Sequence, residues 1–140
     1  MLFRSEVDPG EELARWRDGP ELLSASFPQH VDRDDALTVE LVWSATAPSA
    51  RPYTVFVHLV DEDGRLVAQD DRLPMSGAWP TTCWRPGEAF MDVQTLAIPD
   101  DLPPGEYRLL AGLYWLPELV RLPLADGGDV VELGEVWVGE

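Results

Sequence analysis

An all-β fold, an antiparallel two-sheet sandwich of about eight strands in an Ig-like or jelly-roll-like arrangement, is what this sequence predicts, on three observations. Apolar and polar residues alternate in runs such as Leu37-Thr38-Val39-Glu40-Leu41, the period of a half-buried strand. Prolines and glycines break these runs at intervals of about ten residues. Beyond residue 20 no sustained helical period competes with that pattern.

The chain has 140 residues, of which 45% are hydrophobic, enough for one domain to bury a core without metals or disulfides. Residues 1–20 read as an N-terminal extension with a short helix, and residues 21–140 as the sandwich. The helix is predicted from Asp8 as a cap, Pro9 at the first helical position, Glu11 three residues after the cap and Gly19-Pro20 as a stop. Leu13 and Trp16 would share its docking face.

Strands are expected at Leu22–Phe27, Ala36–Ser44, Tyr53–Val60, Arg65–Gln69, Ala89–Ile98, Glu106–Leu116, Val120–Leu124 and Val130–Val138. Leu37, Val39, Leu41 and Trp43 share one face, with Thr38, Glu40 and Ser44 opposite. In Tyr53–Val60 both faces are apolar, Val55, Val57 and Leu59 on one and Phe56 and Val60 on the other, so this strand should be central. Glu106–Leu116 is also central, with Tyr107, Leu109, Ala111, Leu113 and Trp115 on one face and Leu110, Tyr114 and Leu116 on the other. Asp61-Glu62-Asp63-Gly64 and Asp126-Gly127-Gly128-Asp129 carry turn chemistry and should each join neighbouring antiparallel strands. The proline-rich Pro99–Gly105 segment should cross between the sheets, because prolines cannot donate within a ladder. Asp70–Gly87, with no period, three prolines and two tryptophans, is too long for a plain connection and is a candidate functional loop.

Charge narrows the partners. The formal net charge is −16, a field that repels phosphate backbones and anionic membrane surfaces. All ten basic residues are arginine, and asparagine is absent, so no N-glycosylation acceptor exists. Cys83 is the single cysteine, which rules out an intrachain disulfide and, with only His30 and His58 beside it, almost excludes a four-ligand zinc site. The stretch MLFRSEVDPG lacks the run of a signal peptide, and no segment approaches the roughly 18 apolar residues of a membrane helix, so no membrane insertion is expected.

An ordered set of residues carries a likeness: Phe56-Val57-His58-Leu59-Val60-Asp61, Asp63-Gly64, Gln69-Asp70, Pro74, Trp84-Arg85-Pro86-Gly87-Glu88, Asp92 and Pro104-Gly105-Glu106-Tyr107. Over residues 21–138 the chain resembles bacterial Ig-like or carbohydrate-binding-like β-sandwich accessory domains found at the ends of large cell-envelope glycosyltransferase-like proteins. The resemblance implies an accessory role and an extracytoplasmic place if the chain is a fragment of such a protein; otherwise a cytoplasmic place is expected. It implies no catalytic residues.

The residues agree in offering no enzyme signature. No Gly-x-Ser-x-Gly elbow is present, and Cys83 as a nucleophile would need His58 or His30 beside it, whereas a free thiol is more often a small buried hydrophobe. A carboxylate pair for glycoside hydrolysis is the residual catalytic reading. His58, Asp70, Asp71 and Asp92 read as a structural polar group, since a histidine on a central strand needs a polar partner; calcium is the competing reading, though histidine suits it badly and the spacing matches no loop motif. Asp61–Gly64 only superficially resembles a calcium loop, because Arg65 stands where another acid should be. Neither a metal nor a cofactor is expected.

Trp79, Trp84, Tyr114 and Trp115 are the ligand-binding candidates, since flat aromatic faces stack on sugar rings or anchor protein interfaces. Against that, Trp84 and Trp115 could plug the core while Trp79 covers one end of the sandwich, and Trp43 and Trp137 read as core or near-core. The expectation is therefore a non-catalytic accessory module that binds a glycan or a protein partner through the 70–87 loop. A protease-inhibitor-like domain is the alternative.

Overall fold

The alternation read from the sequence is an in–out alternation in space. The computed structural model describes residues 2–3 and 12–139. Its strands are β1 (Leu2–Phe3), β2 (Ala14–Arg15), β3 (Pro20–Ser26), β4 (His30–Val31), β5 (Ala36–Ala45), β6 (Thr54–Val60), β7 (Leu66–Arg72), β8 (Ala89–Ala97), β9 (Gly105–Trp115), β10 (Val120–Arg121) and β11 (Val131–Val138). They form two sheets, one in the order β1-β8-β5-β3-β2 and one in the order β4-β11-β9-β6-β7, with β10 paired to β9.

All pairings are antiparallel except β4 on β11, where His30 and Val31 lie opposite Trp137 and Val138. The chain thus leaves the first sheet after β3, adds two residues to the second, and returns for β5. The core lies between the layers. Leu37, Val39, Leu41 and Trp43 of β5 face Val55, Val57 and Leu59 of β6 and Leu109, Ala111 and Leu113 of β9, all fully buried. Ser44, expected on the wet side, is buried as well, its hydroxyl donating to the Glu88 carbonyl at 2.6 Å.

The expected N-terminal helix is not what the described residues adopt. Its start at Asp8, Pro9 and Glu11 lies outside them, and Ala14–Arg15 is a strand paired with Glu21–Leu22. From Ala14 onward the chain forms a hairpin instead: Asp18 takes a left-handed φ of 66° and Gly19 a φ of 113°, reversing the chain tightly. Trp16 is then buried against Trp43 at 5.5 Å between ring centroids, while Leu13 faces solvent instead of sharing a docking face with it.

Two of the connections that cross between the sheets bear on the site. Pro99–Gly105 runs from β8 to β9, as its prolines suggest, and Tyr107 closes it by donating its hydroxyl to the Pro103 carbonyl at 2.6 Å, a tyrosine corner. The other crossing is the long β7–β8 segment, from which Asp70–Arg72 must be subtracted because they belong to β7. Asp61–Gly64 joins β6 to β7 with the Asp61 carboxylate accepting from the Asp63 and Arg65 amides. Asp126–Asp129 behaves differently from expectation. It sits in an excursion between β10 and β11, both of which pair with β9 and not with each other. Backbone bonds from Arg17 to Pro123 and from Ala125 to Arg15 tie that excursion to β2 across the sandwich's side.

Candidate functional site

The 73–88 segment spends its aromatic surface inside the molecule. Trp84, a sequence candidate for ligand stacking, is 1% exposed and continues a buried aromatic row, 5.4 Å from Trp43 and 4.9 Å from Phe90. Its indole N–H donates to the Trp79 carbonyl at 2.8 Å, so the half-buried Trp79 is fixed by the same contact. Thr81, fully buried, donates its hydroxyl to the Arg51 carbonyl and accepts from the Tyr53 amide. Asp92 is buried and accepts from the amide of Met75, which with the adjacent Ser76 is held at left-handed φ. A segment anchored at both halves is a plug rather than a projecting loop.

Trp115 and Tyr114 are neighbours on β9 and so face opposite sides of its sheet. Trp115 packs toward the core, roofed by the Arg51 guanidinium 3.9 Å from its ring centroid. Trp137, expected near the core, is 42% exposed, because its strand turns Val136 and Val138 inward. Cys83, expected to be buried, is exposed. The four aromatic candidates therefore do not share one surface: Trp84 is buried, Trp79 and Trp115 are half-buried and packed against the core, and the half-buried Tyr114 lies on the opposite side of its sheet.

That face is the outer side of the six-stranded sheet. Register sets Phe56 opposite Gly112 and Asp71, His58 opposite Leu110 and Gln69, and Thr54 opposite Tyr114. Phe56 is 1% exposed although it points away from the core. It lies across Gly112, where a Cβ would stand 2.2 Å from its Cζ, and is covered by His58 at 4.5 Å, Tyr114 at 6.0 Å and the Arg121 guanidinium at 4.7 Å. Over this buried ring, Tyr114 donates its hydroxyl to Asp71 Oδ2 at 2.9 Å. Burial first, and then that bond and the negative charge, push the Tyr114 phenol up to about 12. Burial also pushes the His58 imidazole below its usual 6.5, helped by Arg121 and opposed by Asp71. His58 is thus a neutral, half-buried ring beside a neutral phenol that holds a carboxylate in place.

The polar group predicted from the sequence is split by the pleat. Asp71 reaches the outer face with His58, yet its hydrogen-bond donor is Tyr114 rather than the imidazole. Asp70 points the other way, taking a bidentate pair from Arg72 at 2.8 and 3.1 Å and lying near the buried Gln94 amide, which donates to its carbonyl at 2.9 Å. Asp92 caps the Met75 turn, and its charge also acts on Arg72, so it belongs on the Asp70 side and not with His58. Among the described residues no cluster of three or more histidine, cysteine, aspartate or glutamate side chains is placed to hold a metal ion. Phe56, Gly112 and Arg121 belong to the outer-face cluster and were not singled out as site residues; the second apolar face of the β6 strand was the one signal pointing to them.

Open grooves lie elsewhere among the described residues. One of about 460 Å³ runs between Leu13–Arg15 and Leu124–Asp126, one of about 470 Å³ is framed by Asp61–Asp63 and Leu102–Tyr107, and a third lies among Asp32, Arg33, Asp34 and Asp100. None brings together aromatic faces and fixed polar groups as the Tyr114 face does.

No family model matches the chain, and no curated protein sequence matches it significantly. Solved structures do resemble it. The C-terminal domain of wzt superposes on 98% of this chain and 83% of its own length, with a TM-score of 0.66 and 16% identity. The likeness is one of fold. A CARDB domain from Pyrococcus furiosus, solved in complex with di-metal ions, matches over 96% of this chain and 99% of its own at a TM-score of 0.51 and 14% identity. A β-glucosidase from Listeria innocua, in complex with isofagomine, matches over 86% of this chain at a TM-score of 0.52 and 19% identity, but this chain spans only 16% of that enzyme. These likenesses show a β-sandwich fold. No helix among the described residues is long and apolar enough to cross a membrane.

Proposed function

We propose that the chain is a non-catalytic accessory module of Ig-like topology that binds a glycan on the outer face of its six-stranded sheet. The observation that carries this reading is the Tyr114–Asp71 hydrogen bond set over the buried Phe56 ring, beside neutral His58 and stacked Arg121. A half-exposed aromatic face with polar groups fixed at its edge suits a sugar ring, which offers an apolar face and a rim of hydroxyls. The polar groups need little ordering on binding, since packing already holds them. Sandwich neighbours that include a segment of a β-glucosidase support the assignment, as does the resemblance to envelope accessory domains. The β4 switch onto β11 and the tyrosine corner support the Ig-like assignment.

Binding of immobilised and soluble oligosaccharides, followed by calorimetry, tests the proposal. Tyr114→Ala is expected to weaken the best ligand at least tenfold while leaving the fold intact, because Tyr114 is only half buried. Equal binding by wild type and variant moves the site off this face, and hydrolysis of the oligosaccharide during titration refutes the non-catalytic reading.

A further inference from the structure

The outer face of the six-stranded sheet carries more negative charge than its own cations neutralise. Buried Tyr107, Leu109, Ala111 and Leu113 leave Glu106, Arg108 and Tyr114 outward on β9, and buried Val136 and Val138 leave Glu135 and Trp137 outward on β11. The guanidiniums of Arg121 and Arg108 are already paired, Arg121 Nη1 lying 3.5 Å from Asp129 Oδ1 and Arg108 Nη1 lying 3.5 Å from Glu132 Oε1. Three exposed carboxylates lie beyond those pairs. Asp71 accepts the Tyr114 hydroxyl on Oδ2 and has no donor on Oδ1 among the described residues. Glu106 and Glu135 form no ion pair among the described residues. His58 does not offset them near pH 7, since burial holds its imidazole below 6.5.

Aromatic surface lies beside these carboxylates. Trp137 is 42% exposed and stands opposite Glu106 in register, with Glu135 on the same face of its own strand. The cation–π contacts among the described residues fall on Trp115 and Phe56, so the Trp137 ring carries no cation of the chain's own. A free indole flanked by two carboxylates suits an ammonium group, or a sugar ring that bears one. Tyr114 and Asp71 repeat the pairing of ring and carboxylate elsewhere on the face. Tyr114 and Glu106 lie near opposite ends of β9, about 27 Å apart at about 3.4 Å per residue, so a ligand that reaches both pairings is a linear oligomer. The field of a chain carrying −16 draws a polycation toward both.

We infer that this face docks a linear glycan bearing free amino groups, its ammonium groups meeting Glu106, Glu135 and Asp71 while its rings stack on Trp137 and Tyr114. This rests on the glycan reading above and adds the charge class of the ligand. Two flat aromatic platforms on an open sheet face favour sugar rings over a basic peptide, which would need the carboxylates alone. The test is calorimetric titration of the full chain with glucosamine hexasaccharide, its fully N-acetylated counterpart and oligolysine of equal charge, in mildly acidic buffer that protonates the amines, each at about 50 and 500 mM NaCl. The amine-bearing sugar is expected to bind at least about tenfold more tightly than the acetylated one at the lower salt, and that ratio to shrink at least about threefold at the higher. The Glu106→Gln/Glu135→Gln variant, altered only at exposed side chains, should lose at least about fivefold toward the amine-bearing sugar. An acetylated sugar that binds as tightly at the lower salt, or a variant that binds like wild type, overturns the inference and leaves the glycan reading standing. Oligolysine that binds more tightly than either sugar assigns the face to a basic peptide and overturns both. Failure of both sugars to bind overturns the glycan reading itself, and the inference with it.

Discussion

Gly112→Ala is the most direct test of how the outer face is built. A Cβ at this position would stand 2.2 Å from Phe56 Cζ, 2.6 Å from Cε2 and 2.9 Å from the Asp129 carbonyl oxygen. Carbon atoms settle at about 3.5–4 Å, so the ring must withdraw by about 1.5 Å. It has nowhere to withdraw without disturbing His58, Tyr114 and Arg121, which cover it. Overpacking of this kind costs about 1–3 kcal/mol, and loosening the Arg121 contact adds about 0.5–1 kcal/mol. The expected loss is therefore about 2–3 kcal/mol, or about 6–10 °C in Tm for a domain of this size. Urea denaturation of wild type, Gly112→Ala, Phe56→Ala and the double variant measures it. Removing the ring relieves the two shorter contacts and leaves only the 2.9 Å approach to the Asp129 carbonyl, so the double variant should lose less than the sum of the two single losses, by a coupling of at least about 1 kcal/mol. Additive effects, or a Gly112→Ala variant within about 0.5 kcal/mol of wild type, would refute the packing argument.

Other perturbations read other parts of the structure. Tyr53, whose hydroxyl donates to Asp18 at 2.7 Å, and Tyr114 are both pushed up to about 12, burial being the larger cause in each; their contribution to stability is full below the unfolded value near 10 and is lost as pH rises through 12. Stability measured from pH 9 to 12 should fall, and the Tyr53→Phe/Tyr114→Phe double variant should flatten that fall; an unchanged slope contradicts it. His58 is shifted the opposite way, so its contribution is full above 6.5 and is lost as pH falls through the lowered folded value, which an NMR titration of the ring would locate. Trp84→Phe should cost about 1 kcal/mol more than Trp43→Phe, because the Trp84 N–H bonds to Trp79 whereas the buried Trp43 N–H has no partner among the described residues. The reverse ranking in chemical denaturation would show that the Trp43 N–H is satisfied. Gly19→Ala should cost at least about 2 kcal/mol, since its Cβ would stand 2.2 Å from the Ala47 carbonyl oxygen at a φ of 113°.

The strands were legible because their signal is local. Leu37, Val39, Leu41 and Trp43 name a buried face by spacing alone, and all four are fully buried. The crossover at Pro99–Gly105 was legible for a related reason, since proline's missing donor acts wherever the chain goes. The hairpin at Asp18-Gly19 was not, because the energy that favours it comes from burying Trp16 against Trp43, far away in sequence, which no local signal reports. Tryptophan was the least readable residue of all. Trp84 is buried, Trp79 and Trp115 are half-buried and Trp137 is exposed, although composition treats them alike. What separates them is which side of a strand each occupies and whether a polar neighbour such as Arg51 covers the ring.

The position of the site follows from a constraint on the aromatic residues themselves. A ring that plugs a core cannot also offer its faces to a ligand, and the long segment after β7 had to supply a plug, because β7 and β8 belong to different sheets and the chain crosses the end of the sandwich between them. Trp84 completes the row from Trp16 through Trp43 to Phe90, and the hydrogen bond to Trp79 immobilises the segment that carries it. The outer face of the six-stranded sheet has no such duty. There Gly112 opens a slot, Phe56 fills it from outside, and Tyr114, His58 and Arg121 are braced against Phe56 instead of against the core. A buried ring used as a foundation on the solvent side of a sheet adds nothing to the main core. Its effect is to fix the positions of the polar groups above it, and that is the property a ligand-binding surface requires.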